Sequence, residues 1–199
     1  SVYLADRVLP MLPRTLSNGI CSLNEGEDRL ALSCIMTLDE KGRIVGHTIA
    51  ETVIRVSRRL SYTGVQRVLD GELEEQALYP ELVPMLLEME RVSGLLRKRR
   101  RKRGSIDFDF PETKVVLDER GQVLDIRPYE RNAATRLIED FMLAANETVA
   151  EDYYWQAQPF VYRVHEKPDA DRMQKLGIFI RNFGYRLRTS GDEVHPGEI

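Results

Sequence analysis

The amino-acid sequence predicts an α+β fold, with antiparallel hairpins forming a curved sheet that packs against long helices. Three observations carry that reading. Period-two apolar alternation recurs in short runs joined by tight polar turns. Three other stretches switch to helical spacing. The two kinds of segment come in blocks rather than in the regular strand–helix–strand alternation of a parallel sheet.

Taken in order, the first 28 residues are turn-rich, with Pro10 and Pro13 followed by RTLSNGICSLNEGED. Residues 30–38 (LALSCIMTL) and 43–57 (RIVGHTIAETVIRVS) read as two strands joined by the turn DEKG, where Gly42 can take a positive φ. SYTGVQRVLDGE holds a short helix capped by Ser61 or Thr63. From Glu81 to about Arg101, the residues Leu82, Met85, Leu86, Met89, Val92 and Leu96 make one apolar stripe, and Gly104 supplies the stop. SIDFDF alternates Ile106, Phe108 and Phe110 with Asp107 and Asp109. TKVVL, the turn DERG and QVLDI form a second hairpin.

A second long helix covers 131–156, with Ala134, Leu137, Ile138, Phe141, Ala145 and Val149 along its expected buried face. A third follows Pro168, where Asp169 can cap it; it carries Met173, Leu176, Ile180 and Phe183, and ends at Gly184. No repeat or low-complexity linker divides the chain, so residues 1–199 read as a single segment.

At 199 residues and 42% hydrophobic, the chain can bury one sizeable core. Charged residues make up 31% of it, and no run approaches the roughly 20 apolar residues of a membrane span. SVYLADRVLPMLP lacks the basic and apolar regions of a signal peptide. It also lacks an initiator Met and starts as if mid-strand, which predicts a processed chain or an excised piece of a longer one. Cys21 and Cys34 cannot make a disulfide framework, and His47, His165 and His195 are too scattered to build a zinc cluster with them. A reducing, cytoplasmic setting is therefore expected. No nucleophile elbow, phosphate-binding loop or dinucleotide fingerprint is present in the sequence.

The formal charge is -3, yet residues 97–103 (RKRRRKR) are seven consecutive cations. One or two would complement a helix C-terminus. Seven leave three readings open: a solvated helix end, a targeting tag, or contact with a polyanion. Phe108 beyond the run fits the cation-plus-aromatic pattern of single-strand binders, although its spacing alone favours a core position. Asp107, Asp109 and Glu112 could face a divalent cation; the simpler reading is a solvated strand face answering the neighbouring cations. Glu139 and Asn146, seven residues apart, flank the apolar stripe of their helix, where they could read ribose hydroxyls or simply sit at the boundary.

Five stretches together resemble a known family: SVYLADRVLPMLPRTLSNGICSLNEGEDRLALSCIMTLDEKGRI, RLSYTGV, RGSIDFDFPE, RLIEDFMLAANETVA and YRVHEKP. Their order and spacing are similar to the catalytic (RNB) domain of the ribonuclease II/ribonuclease R family, in particular its bacterial ribonuclease R branch. The resemblance implies the central part of such a domain, and Mg²⁺-dependent 3′→5′ hydrolysis of single-stranded RNA to nucleoside monophosphates. It also implies roles for four residues. Tyr3 falls on the tyrosine clamping the scissile end, and Phe108 on the ring capping the base stack at the other end. Tyr62 and Glu139 fall on residues that contact the terminal nucleotides and favour ribose, for which the 2′-hydroxyl is the handle.

The family's catalytic aspartates lie upstream of SVYL, and an arginine-containing segment lies downstream. The expectation is thus no catalytic residue and no metal ligand in this chain, and no activity from it alone. Uncovered faces of such a piece would favour self-association. Two alternatives stand beside this reading: a catalytically inactive RNA-binding homologue, and a protein-interaction fragment.

Overall fold

Residues 2–4, 7–106, 113–128, 131–164 and 166–187 are described by a computed structural model of the chain. The α+β reading holds. Two-residue strands β1 (Val2–Tyr3) and β2 (Val8–Leu9) pair antiparallel, and a π-helical stretch follows at Thr15–Ile20. The long strands β3 (Asp28–Leu38) and β4 (Ile44–Arg55) form the first predicted hairpin, and β5 (Thr113–Leu117) and β6 (Val123–Pro128) the second. Among the described residues each sheet has two strands.

The helices are α1 (Tyr62–Leu69), α2 (Leu73–Leu78), α3 (Val83–Arg103), α4 (Ala133–Trp155) and α5 (Ala170–Arg181). Ser61, rather than Thr63, caps α1, its Oγ accepting from Gly64 N at 3.1 Å. Asn132 and Asp169 cap α4 and α5 in the same way, through Thr135 N and Arg172 N. Gly104 ends α3 at φ 103°, a conformation that costs glycine little. The helix α2 has no counterpart in the sequence reading: its six residues span too few turns to show a period.

The core lies where α1, α3 and α4 meet, at Val68, Leu86, Ala134, Leu137 and Ala144. The α1–α4 contact is polar as well as apolar. Gln66 Oε1 accepts from Ala133 N at 2.8 Å and Ala134 N at 3.3 Å, satisfying amides that the first turn of α4 leaves without helical partners.

The hairpin β3–β4 reaches the helices at its turn. Gly42, at φ 71°, sits so close to α3 that a Cβ there would lie 2.9 Å from Leu95 Cβ. Arg99 donates to Gly42 O at 2.7 Å, and His47 Nε2 lies 3.0 Å from Asp152 Oδ1 on α4. Along β3 the half-buried positions switch from Arg29, Ala31 and Ser33 to Cys34, Met36 and Leu38. A long two-stranded ribbon twists enough to present opposite faces to different neighbours.

Three helix faces differ from their apolar patterns. Met85, Ile138 and Phe183, placed in stripes by spacing, are exposed. Ser93, Asp140 and Thr148 are buried instead. On α4 this turns the buried face toward the 137–140–144–148 line, because Asp140 finds cationic partners on α3 that apolar periodicity does not register.

Candidate nucleic-acid interface

The cationic run forms the last turns of α3, and most of its charge is used inside the fold. Arg97 Nη2 donates to Asp140 Oδ2 at 2.6 Å, and Ser93 Oγ donates to the same oxygen at 2.7 Å. Arg100 Nη1 lies 3.0 Å from Asp140 Oδ1, off the line of a hydrogen bond, so that this oxygen is compensated by charge alone. Arg103 grips Glu147 with both terminal nitrogens, Nη2 at 2.6 Å and Nη1 at 3.0 Å. That bond and the charge of Glu147 hold the Arg103 guanidinium above its usual range, with partial burial opposing them. Arg99 is committed to the β-turn at Gly42, and Arg101 is also engaged.

None of the three sequence readings of this run anticipated that use. Arg97, Arg100 and Arg103 recur every third residue on α3, while Asp140 and Glu147 lie seven apart on α4. Complementary spacing of that kind is the signal that could have found the pairing. Lys98 and Lys102 remain exposed, with no ion pair among the described residues.

Glu139, the neighbour of Asp140, looks the other way. Its carboxylate meets Arg131 Nη2 at 2.8 and 3.1 Å and Arg100 Nη2 at 3.9 Å. It lines an open cleft of about 540 Å³ together with Arg100, Arg103, Gly104, Ser105 and Ile106. A second cleft of about 460 Å³ shares Arg100, Arg103, Leu143 and Glu147 with it and extends along α3 and α4 to Lys102 and Glu151. Phe108, Asp107, Asp109 and Glu112 lie outside the described residues; the chain leading to them, Gly104–Ser105–Ile106, forms one wall of the first cleft.

Tyr62 is the first residue of α1 and 48% exposed, one helical turn before Gln66, whose side chain accepts from the first amides of α4. Glu139 and Tyr62 are thus both carried by the α1–α4 unit. Tyr3 sits apart on the two-residue strand β1, 79% exposed. Asn146 is exposed on α4.

Among the described residues, no three His, Cys, Asp or Glu side chains gather as a metal site would require. Glu139, Asp140 and Glu147, carboxylates lining these two clefts, are already met by guanidinium groups, which a divalent cation would have to displace. The described residues therefore do not fit Mg²⁺.

No helix among the described residues is long and apolar enough to cross a membrane. The chain matches the RNB domain over residues 1–194. It is 44% identical over 202 residues to ribonuclease R of Thermotoga maritima, covering all of this chain and 28% of that protein. It is 41% identical over 197 residues to ribonuclease R 1 of Lactococcus lactis, covering 98% of this chain and 24% of the other. Its fold superposes on RNase R of Mycoplasma genitalium, solved in complex with ribose methylated single-stranded RNA, with a TM-score of 0.84 at 30% identity, over 95% of this chain and 29% of that one. The chain therefore spans about a quarter of the length of the curated relatives it matches. With a match running from its first residue to position 194 and ribonuclease R relatives above 40% identity, the chain belongs to the RNB domain family.

Proposed function

We propose that residues 1–199 are the RNA-holding part of an RNB exoribonuclease catalytic domain, one that hydrolyses single-stranded RNA from the 3′ end to nucleoside monophosphates. The observation that carries this reading is the RNB match over residues 1–194, supported by the superposition on a ribonuclease R that holds single-stranded RNA. In this reading the Mg²⁺ ligands and catalytic aspartates belong to other segments of the polypeptide. This chain supplies rings and a carboxylate that hold the substrate.

The chemistry of each group suits that task. Tyr62 presents an exposed ring at a helix start, and Tyr3 a further one, on which bases can stack whatever their identity; the resemblance assigns Phe108 the same task. Glu139 offers carboxylate oxygens that accept a hydrogen bond from a 2′-hydroxyl, which deoxyribose cannot supply. The exposed Lys98 and Lys102 contribute sequence-independent attraction to phosphates. A cytoplasmic setting accords with two free cysteines. Self-association through exposed apolar side chains such as Leu30, Leu32 and Val53 belongs to the same proposal.

Incubation of the chain with labelled single-stranded RNA and Mg²⁺ tests the division of labour. The expected result is binding that weakens as salt rises, with no mononucleotide release. Release above background would show that the chain carries its own catalytic centre. Affinity independent of salt would remove the phosphate contacts from the proposal.

A further inference from the structure

Glu139 stands between two cations that are held very differently. Arg131 grips it directly, at 2.8 and 3.1 Å. Arg100 approaches Oε1 at 3.9 Å and is itself pinned from behind by Asp140, whose side chain is 1% exposed. Asp140 Oδ2 is taken by Ser93 and Arg97, so Arg100 is the group that compensates Oδ1. If Arg100 swung into solvent, it would leave a buried carboxylate oxygen uncompensated, which is costly. The guanidinium is therefore immobilised by the core on one side while its other edge faces Glu139 and the cleft.

We infer that Arg100, fixed by buried Asp140, is a positioning residue that sets the orientation of the Glu139 carboxylate and through it the preference for ribose at the RNA 3′ end. This rests on the proposed role of Glu139 as the 2′-hydroxyl acceptor. Among the described residues, Arg131 is the remaining cation on Glu139 once Arg100 is removed, and Arg131 precedes the helix rather than packing within it. Lysine cannot substitute fully. Its ammonium is a single point charge, whereas the planar guanidinium holds one terminal nitrogen 3.0 Å from Asp140 Oδ1 and the other 3.9 Å from Glu139 Oε1.

The test measures binding of the chain to two 5′-labelled oligouridylates, one all-ribose and one with 2′-deoxy sugars at its 3′ end. The readout is the ratio of their affinities, which general destabilisation of the fold leaves unchanged. The unaltered chain is expected to prefer the ribose end by about tenfold, the worth of one hydrogen bond to a charged acceptor. Glu139→Ala, which removes the acceptor, should bring that ratio close to one. Arg100→Lys should lower it by about threefold or more, and Arg100→Gln further. Arg100→Lys keeps a cation against Asp140 and carries the test if the glutamine variant does not fold. If the unaltered chain shows no ribose preference, or if Glu139→Ala retains it, the proposed role of Glu139 is wrong and the inference falls with it. If Glu139→Ala loses the preference while Arg100→Lys keeps it in full, the role of Glu139 stands and the positioning role of Arg100 is overturned.

Discussion

Replacing Asp140 with alanine removes the centre of the α3–α4 contact. The carboxylate is 1% exposed and meets Arg97 at 2.6 Å, Arg100 at 3.0 Å and Ser93 at 2.7 Å. Breaking a buried ion pair from one side costs about 3–5 kcal/mol, because the remaining charge stays buried without compensation. Here the two guanidiniums are 21% and 18% exposed, so water can reach them in part and the lower end, about 3 kcal/mol, is expected. For a chain of this size each kcal/mol moves the melting temperature by about 2–4 °C, giving a fall of roughly 6–12 °C. Urea unfolding followed by far-ultraviolet circular dichroism measures the free energy directly, and the slope should not change. Arg103→Ala is the comparison, because its pair with Glu147 is 65% and 50% exposed and an exposed pair is worth at most about 1 kcal/mol. If Asp140→Ala costs no more than Arg103→Ala, the buried network does not hold the helices together and the reasoning is refuted.

Two further outcomes follow from local chemistry. Cys34 has its thiol held above the ordinary 9.0, first by burial and then by the charge of Asp152, whereas Cys21 is exposed. Iodoacetamide near neutral pH should modify Cys21 first, and Asp152→Asn should speed the reaction of Cys34; equal rates at the two thiols in the unaltered chain would contradict the structure. Asp39, in the β3–β4 turn, accepts from Arg43 N at 2.8 Å, Arg43 Nε at 2.6 Å and Lys41 N at 2.9 Å, which lowers its carboxyl below the ordinary 3.8. A carboxyl depressed on folding lends its stability in full above the unfolded value and loses it as pH falls through the folded one. The turn should therefore stay closed until the pH drops below about 3.8, and a carboxyl titration by NMR with a midpoint at or above that value would contradict this.

The parts of the fold that were legible in the sequence are those with a strong local signal. Alternation over residues 30–38, glycine at position 42, and the caps before α1 and α5 each depend on a few neighbouring residues. The apolar stripes of α3 and α4 located both helices but misplaced one edge of each: Met85 and Ile138 are exposed, while Ser93 and Asp140 are buried. A buried carboxylate is read correctly only when its cation is known, and the cations of Asp140 lie about forty positions earlier, at Arg97 and Arg100. The same pairing explains why the cationic run was hard to interpret. Taken alone, RKRRRKR is surplus charge; against α4, its every-third-residue arginines are structural partners. For the candidate interface, resemblance named Tyr3, Tyr62, Phe108 and Glu139, but the residues that surround Glu139 emerged only from three-dimensional packing.

Crosslinking bears most directly on the central claim, that this chain holds the 3′ end of single-stranded RNA. An oligonucleotide with 4-thiouridine as its last residues, irradiated on the chain and mapped by peptide mass, reports which side chains lie against the terminal nucleotides. A 3′ end held by the α1–α4 unit predicts adducts on the peptides that carry Tyr62 and Glu139, lost when the terminal sugars are deoxy. Adducts confined to the exposed side of α3, at Lys98 and Lys102, would mean that the chain attracts RNA only as a cationic surface, and would contradict that claim.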